Sequence, residues 1–268
     1  MLAPSPVVKK TAKTALSQDF LTSAAVCCVL MFSYFVCSLI ASLVSVFATE
    51  VGMFIVLLAL FVFALSPLAL GVLWFFRRLI WDCKDNALAI FKYFSNMQEY
   101  LRALRFTLLL LSKIAIAALI TLSPCIVIWL LSSEDVYKTF GLSLPIWASN
   151  LWTLNSFAII VAIFILIFIM LKYYLAPFIF VGNDEIDPDE AVNMSTIISK
   201  RTGADFFGLA VSFAGWILLS FFVAPLVFTL PYFFASYCVH CRFATTAYNR
   251  DVDRFNADTA PSYSTDEF

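Results

Sequence analysis

The sequence predicts an all-α polytopic membrane protein with six transmembrane helices and two short amphipathic helices at the inner membrane surface. The first observation is composition: 62% of the 268 residues are hydrophobic and 13% are charged, whereas soluble domains average about 25% charged residues. The second is that apolar runs recur along the whole chain and leave no stretch for a separate soluble core. The third is that basic residues gather in alternate connections, which is typical of multi-span proteins.

Six apolar runs approach the length of about 20 residues that a helix needs to cross a bilayer. They cover residues 20–47, 51–76, 106–131, 152–181, 206–228 and 231–248. The first run follows three lysines as the core of a signal peptide would, but it is longer than the roughly 7–15 residues of such a core. We therefore expect a cytoplasmic N-terminal segment (1–19), a six-helix membrane domain (20–248) and a disordered cytoplasmic tail (249–268).

The distribution of positive charge predicts the orientation. Connections 48–50 and 229–230 are tight and lack Lys and Arg, while connections 77–105 and 183–205 are long and charged. Of the seventeen Lys and Arg residues, only Lys138 falls between the third and fourth runs. By the positive-inside rule, both long connections and both termini are cytoplasmic in a multi-pass protein of the cell membrane.

The second long connection carries the start and stop signals of a short helix. Asp187 is placed to cap this helix, and Pro188 takes its first position. Glu190 follows three residues after the cap, and Gly203 is placed to end the helix. One face is apolar at helical spacing and is formed by Ala191, Met194, Ile197 and Ile198. We expect this helix to lie on the inner membrane surface or against the bundle, because it is too short and too charged to cross.

The first long connection shows a similar pattern. Its apolar residues at helical spacing are Ala87, Phe91, Phe94, Leu101 and Leu104. Aligning DNALAIFKYF (85–94) with DEAVNMSTII (189–198) gives a unit of span, surface helix and span that is used twice in the same orientation, as in parallel transporter repeats. The two segments share few identities, so duplication and chance similarity both stay open.

Several longer segments share the pattern of a known family. They are KKTAKTALSQDF before the first run, EYLRALRFTLL entering the third, LKYYLAPFIFVGNDEIDPDEAVNMS from the end of the fourth onward, and ADFFGLAVSFAGWILLS followed by PYFFASY. From about Lys9 to Tyr237 the chain resembles the bacterial integral membrane family catalogued as domain of unknown function 975. The resemblance implies a six-helix bacterial inner-membrane protein without an established activity, so it carries no functional residues over to this sequence.

Lys172 interrupts the fourth run and is a candidate intramembrane functional residue. If that helix continues to Val181, Lys172 lies about ten residues, or roughly 15 Å, above its inner end. A lysine at that depth usually faces a partner or a water-filled cavity. Alternatively, the helix breaks near Pro177 and the Lys172 side chain extends to the interface. Lys113, nearer the inner end of the third run, is interpreted as an interfacial anchor.

The stretch CVHC offers a candidate metal site. Cys238 and Cys241 lie three residues apart on one helical face and, with His240, could supply soft ligands. The sequence contains no second cluster to complete four ligands, so the competing interpretation is helix packing beside Arg242. We predict no metal and no other cofactor. The cysteines are expected to be small apolar residues without disulfides.

The sequence contains no signature of catalysis. The predicted spans offer almost no titratable groups that could converge in one pocket, and no glycine-rich phosphate loop, HExxH or GxSxG motif is present. Our first hypothesis is a non-enzymatic protein whose inner-surface helices contact membrane lipids or a protein partner, without nucleic acid. The alternative is a small-molecule transporter with Lys172 near its site. Its helix irregularities would be Ser66-Pro67, Ser123-Pro124 and Ala176-Pro177. Neither hypothesis predicts an oligomeric state.

Overall fold

The computed structural model describes residues 5–47, 50–81, 86–133, 146–219 and 223–259. Within these ranges the chain is helical almost throughout and contains no β-strand, which confirms the predicted all-α class. The helices before residue 134 are α1 (Ser5–Gln18), α2 (Phe20–Phe47), α3 (Glu50–Leu60), α4 (Ser66–Ile80), α5 (Lys92–Ser95) and α6 (Met97–Ser132). Those after residue 145 are α7 (Ile146–Tyr173), α8 (Ala176–Gly182), α9 (Pro188–Val211), α10 (Ala214–Leu219) and α11 (Val223–Thr259).

Four stretches are helical, long and apolar enough to cross a membrane. They are Phe20–Val44, Val51–Ile80, Met97–Ser132 and Thr153–Gly182. They overlap the first four predicted runs, and α2 has the predicted bounds. The second stretch includes a π-helical turn (Phe61–Leu65) that joins α3 to α4. Among the described residues, the fifth and sixth predicted runs give no helix of this kind, so the six-span count is not confirmed.

The helix after the second inner connection ends later than predicted. The prediction that Gly203 ends it is wrong, because α9 continues to Val211. A glycine ends a helix when its backbone turns left-handed, and Gly203 does not have a positive φ. Gly203 instead packs beside α7, where an ideal Cβ would lie 3.7 Å from the Leu171 carbonyl oxygen. Contact with a neighbouring helix therefore overrides the local stop signal.

The end of the chain is also more helical than predicted. The tight connection predicted at 229–230 is wrong, because α11 passes through it and the Thr229 hydroxyl donates a hydrogen bond to the Pro225 carbonyl at 2.9 Å. α11 then extends to Thr259, into the segment predicted to be disordered. Extending a formed helix adds one hydrogen bond per residue without a new nucleus. The rest of the predicted tail, 260–268, lies outside the described residues.

The described part of the first long connection, 77–105, folds as two short helices and the start of a long one. A 3-10 helix (Ala87–Phe91) leads into α5, and Asn96 then breaks the chain direction with an extended backbone. The Asn96 side chain caps α6 by accepting a hydrogen bond from the Gln98 amide at 3.1 Å. The predicted surface helix is therefore not continuous, and Leu101 belongs to the same helix as the third run. Because α9 is a single long helix, the two inner connections differ in form and the predicted repeat is not confirmed.

Burial divides the helices into two regions. The packed half consists of α1, α4, the 3-10 helix, α5, α8, α9, residues 97–113 of α6 and residues 229–259 of α11, and it holds most of the buried core. The apolar band consists of residues 28–47, 51–65, 114–133 and 153–171, where large hydrophobic side chains are mostly exposed. The band contains no Asp, Glu, Lys or Arg. Exposing each such side chain to water would cost about 1.5–3 kcal/mol relative to burying it. This surface is therefore consistent with contact with lipid.

Two glycine substitutions test the continuity of α9. Gly203→Ala leaves ordinary contact distances to Leu171, and alanine favours a helix over glycine by up to about 1 kcal/mol. We therefore expect the thermal unfolding midpoint of the detergent-purified protein to stay the same or rise. Gly71→Ala would put a Cβ 1.9 Å from the Ile90 carbonyl oxygen and should lower the midpoint strongly. Scanning fluorimetry measures both, and equal losses would contradict a continuous α9.

Candidate functional site

The loop between α8 and α9 is held by a cation from α6. The Arg102 guanidinium donates hydrogen bonds to the carbonyls of Asn183 at 2.6 Å and Ile186 at 3.0 Å. It also lies over the Phe180 ring, 4.5 Å from the centroid. These carbonyls follow the end of α8, where the helix no longer supplies donors. Arg102 therefore joins the two long connections, 77–105 and 183–205, which are separate segments in the sequence.

Ion pairs strengthen the same junction. Acidic residues of the polar stretch NDEIDPDE face basic residues of α5 and α6 in four pairs: Lys92 with Asp184 at 2.8 Å, Arg102 with Asp184 at 3.6 Å, Arg105 with Asp187 at 3.4 Å, and Lys113 with Asp189 at 3.3 Å. The carboxylates are half exposed or more, so each pair contributes about 0–1 kcal/mol. Together they fix the register of α9 against α6, which explains why acidic residues are concentrated there.

Arg77 lies in the last turn of α4, and its environment is unlike that of these paired cations. Its guanidinium lies 5.1 Å from the ring centroids of both Trp81 and Phe178. It also packs onto Gly182, where an ideal Cβ would lie 1.5 Å from Arg77 Nη1. Any larger residue at 182 would displace the guanidinium. We call Arg77, Trp81, Phe178 and Gly182 the Arg77 site.

The Arg77 guanidinium has no anionic partner in the described part of the chain. Neither an ion pair nor a hydrogen bond is formed by its five N–H donors there. Contact with aromatic rings stabilises the charge by about 0.5–2 kcal/mol, but it leaves the donors unsatisfied. A partly buried arginine in this state is suited to bind an anion.

A cavity of about 300 Å³ opens beside Arg77. Its lining consists of Trp74, Arg77, Arg78, Trp81, Val181, Gly182 and Asp184. Three further cations lie over the rings of its tryptophans: Arg78 over Trp74 at 4.7 Å, Lys92 over Trp74 at 5.0 Å, and Arg242 over Trp81 at 4.8 Å. The lining carboxylate, Asp184, is already paired with Lys92. Among the described residues, the lining of this cavity carries two arginines and one carboxylate.

Tyr93 of α5 is buried in the hydrophobic core. Its ring stacks on Phe180 with the centroids 6.3 Å apart, and its hydroxyl has no hydrogen-bond partner among the described residues. Burial raises the pKa of the Tyr93 phenol well above its ordinary value. The hydroxyl therefore stays protonated and remains a donor.

Lys172 lies in the last turn of α7. α7 ends at Tyr173, and α8 begins at Ala176 after a two-residue turn, so the helix breaks just before Pro177; the position of the Lys172 side chain relative to the membrane interface stays a prediction. The Lys172 side chain is exposed. Its backbone carbonyl, freed by the break, accepts hydrogen bonds from Ser195 and Ser199 of α9, each at 3.0 Å. The structure does not bring Lys172 to the Arg77 site.

Asp187 and Glu190 lie at the start of α9. Asp187 occupies the N-cap position with an extended backbone, and Pro188 is the first helical residue. The Asp187 side chain forms no capping hydrogen bond and pairs with Arg105 instead. Glu190 is exposed and, with Glu185, lines a cavity of about 530 Å³ whose lining also includes all four residues of the Arg77 site. Both residues lie at the start of the helix, as predicted. The Asp187 side chain, however, forms an ion pair with Arg105 and not the predicted cap.

The CVHC stretch lies inside the packed half. Cys238, His240 and Cys241 are all buried. His240 Nε2 is 3.1 Å from the Tyr174 hydroxyl, which is 2.7 Å from the Thr202 hydroxyl. Over the described ranges, no group of three or more His, Cys, Asp or Glu side chains is close enough to hold a metal. Tyr174, in the break after α7, is therefore hydrogen-bonded to His240 of α11 and to Thr202 of α9. The spacing of residues in the sequence could not indicate these contacts.

An apolar cavity of about 570 Å³ lies between α4, α6, α8 and α11. No charged residue lines it. Its hydroxyl groups include Ser66 and Thr107, which hydrogen-bond to each other at 2.8 Å. The Ser66-Pro67 irregularity singled out from the sequence is therefore satisfied internally. This cavity does not provide a polar path for a solute.

These features define the class of protein. It is an all-α protein with four membrane-capable helices, and the charged ends of these helices belong to the packed half. Sequence comparison then places it, because the model of the family described as protein of unknown function (DUF975) matches residues 2–245, and the chain belongs to this family. The resemblance found in the sequence is thereby confirmed. The searches of curated proteins and of solved structures return no match.

Removal of metal tests the interpretation of the CVHC stretch. We expect a chelator such as EDTA to leave the thermal midpoint of the purified protein unchanged, because His240 Nε2 is engaged by Tyr174. His240→Ala should lower the midpoint by an amount equivalent to about 1–3 kcal/mol, since it leaves buried hydroxyls short of a partner. Elemental analysis provides the control. Stoichiometric zinc together with destabilisation by EDTA would contradict the packing role.

Proposed function

We propose that this protein is a non-enzymatic, multi-pass protein of the cell membrane whose packed half lies at the inner surface and contacts membrane lipid or a protein partner there. The observation that carries the proposal is the segregation of charge. The apolar band is free of charged residues, while the packed half holds a dense set of them. A protein with this division has one surface for hydrocarbon and another for the aqueous interface.

The inner location of the packed half is supported by the sign of its charges. Basic residues cluster at the junction of α4, α5 and α6, at Arg77, Arg78, Lys92, Arg102 and Arg105. Basic residues near the ends of spans favour the cytoplasmic side. The predicted outer connection, with Lys138, lies mostly outside the described residues. Cytoplasmic termini and six spans remain part of this proposal.

A non-enzymatic role is supported by how the charged groups are used. Three carboxylates of the polar stretch, Asp184, Asp187 and Asp189, pair with cations of α5 and α6, while Glu185 and Glu190 line the 530 Å³ cavity beside Arg77. The buried hydroxyls of Tyr174 and Thr202 are engaged with each other. Side chains that are already paired act structurally, so binding is the better supported role.

Site-directed thiol labelling tests the orientation. Single cysteines at Asn150 and Asn193 should respond oppositely to an impermeant maleimide in intact cells, with Asn150→Cys labelled and Asn193→Cys silent until lysis. Asn193 is chosen because it is exposed on α9, whereas nearby Ser195 is buried and bonded to Lys172. The unchanged protein controls for labelling of its own exposed Cys28. The reverse pattern would overturn the inner location.

Transport is the second candidate, and the broken helices favour it. The π-helical turn before Ser66 and the turn after Tyr173 are irregularities of the kind found near transporter sites. The apolar lining of the 570 Å³ cavity weighs against a polar solute path. Oligomeric state does not separate the two candidates.

Purification distinguishes contact from transport. After mild solubilisation we expect the protein to copurify with a reproducible set of lipids or a protein partner, and to show no solute flux in liposomes. Lys172→Leu should leave the yield of folded protein unchanged, because its side chain is exposed and forms no described contact. Flux by the unchanged protein that Lys172→Leu abolishes would favour the transporter instead.

A further inference from the structure

We propose that the Arg77 site binds the phosphate group of an anionic membrane lipid. This inference rests on the proposed contact of the packed half with the membrane, and it names the ligand and the residue that binds it. The ligand class is a phosphate monoester or diester with net negative charge. The bound atoms would be phosphate oxygens, which accept two parallel hydrogen bonds from a guanidinium.

The first step of the argument is that Arg77 is held ready for an anion. The rings of Trp81 and Phe178 and the backbone of Gly182 fix the guanidinium before any ligand arrives. A planar fork that is already ordered loses less conformational entropy on binding than a free side chain. Its donors have no acceptor in the described chain. Binding a phosphate would satisfy them without breaking an existing contact.

The second step is the charge around the cavity. Arg78 lines the same 300 Å³ space as Arg77. The Asp184 carboxylate there is held by Lys92 at 2.8 Å and lies 3.6 Å from Arg102 Nη1, so its negative charge is offset. A volume of this size is at the lower end of small-ligand sites, which suits a phosphate headgroup better than a large polar molecule.

The third step identifies the source of the phosphate as a lipid. The 3-10 helix and α5, which pack against α4, carry exposed apolar side chains at Leu88, Phe91 and Phe94. Trp74 and Trp81 stand beside Arg77, and tryptophan is enriched at the level of lipid headgroups. An exposed apolar surface next to basic residues would face both the acyl chains and the phosphate of one lipid. A soluble phosphate ion has no acyl chain that could contact the exposed apolar side chains.

The experiment measures lipid binding to the full-length, detergent-purified protein by native mass spectrometry. Phosphatidylglycerol and phosphatidylcholine with identical acyl chains are titrated in parallel, so that both lipids share the phosphodiester and the acyl chains and differ in the headgroup and its net charge. We expect phosphatidylglycerol to bind more tightly. Arg77→Gln should weaken its binding by about tenfold or more, which is the contribution of a hydrogen bond to a charged group. Binding of phosphatidylcholine should change little.

Two further variants keep the test independent of folding. Arg77→Lys retains the charge and should restore only part of the affinity, because it cannot form the bidentate contact. Gly182→Ala retains every charge but puts a methyl group where Arg77 Nη1 lies, and it should weaken binding as Arg77→Gln does. The matched control is Arg201→Gln, which removes one positive charge from an exposed residue paired with Asp251. It should bind phosphatidylglycerol like the unchanged protein.

Equal loss of affinity in Arg77→Gln and Arg201→Gln would overturn the site, since net charge alone would then explain binding. Competition by inorganic phosphate at concentrations comparable to the lipid would overturn the lipid source. The orientation experiment fails separately. If Asn193→Cys is labelled from outside while phosphatidylglycerol binding still depends on Arg77, the headgroup site stands and the inner location falls.

Discussion

The rest of this structure depends on one constraint: hydrocarbon solvates neither charge nor unpaired backbone groups. The four membrane-capable helices satisfy it by carrying apolar side chains over long uncharged stretches. Their charged continuations and the described connections 86–96 and 183–187 then gather in the packed half. The buried core therefore lies at one end of the helices, where loops and caps need partners, and the other end presents a nearly uniform apolar surface.

Within the packed half, side chains compensate for two interruptions of helices. The turn after Tyr173 frees the Lys172 carbonyl, and Ser195 and Ser199 satisfy it. The end of α8 leaves carbonyls that Arg102 satisfies. These contacts make the breaks stable features of the fold. Among the described residues, the Arg77 guanidinium forms neither an ion pair nor a hydrogen bond, and this is the reason for assigning a ligand to that site.

Sequence reasoning succeeded where a property of many residues decides the outcome. The all-α class, the overlap with the first four apolar runs and the bounds of α2 follow from hydropathy summed over long windows. The position of Asp187 before Pro188 follows from local helix chemistry. One error falls where a single residue was taken as a stop signal. Gly203 lies inside α9 because contact with α7 outweighs its intrinsic preference.

The sequence by itself determined which segments avoid water and where positive charge is concentrated, because both are sums over neighbouring residues. Only the tertiary structure decided which cation meets which carboxylate. Lys92 and Arg77 look equivalent in the sequence, yet Lys92 reaches Asp184 while Arg77 meets two aromatic rings and Gly182. That difference depends on how α4 and α5 pack against α8, and hydropathy carries no information about contacts between helices distant in the chain.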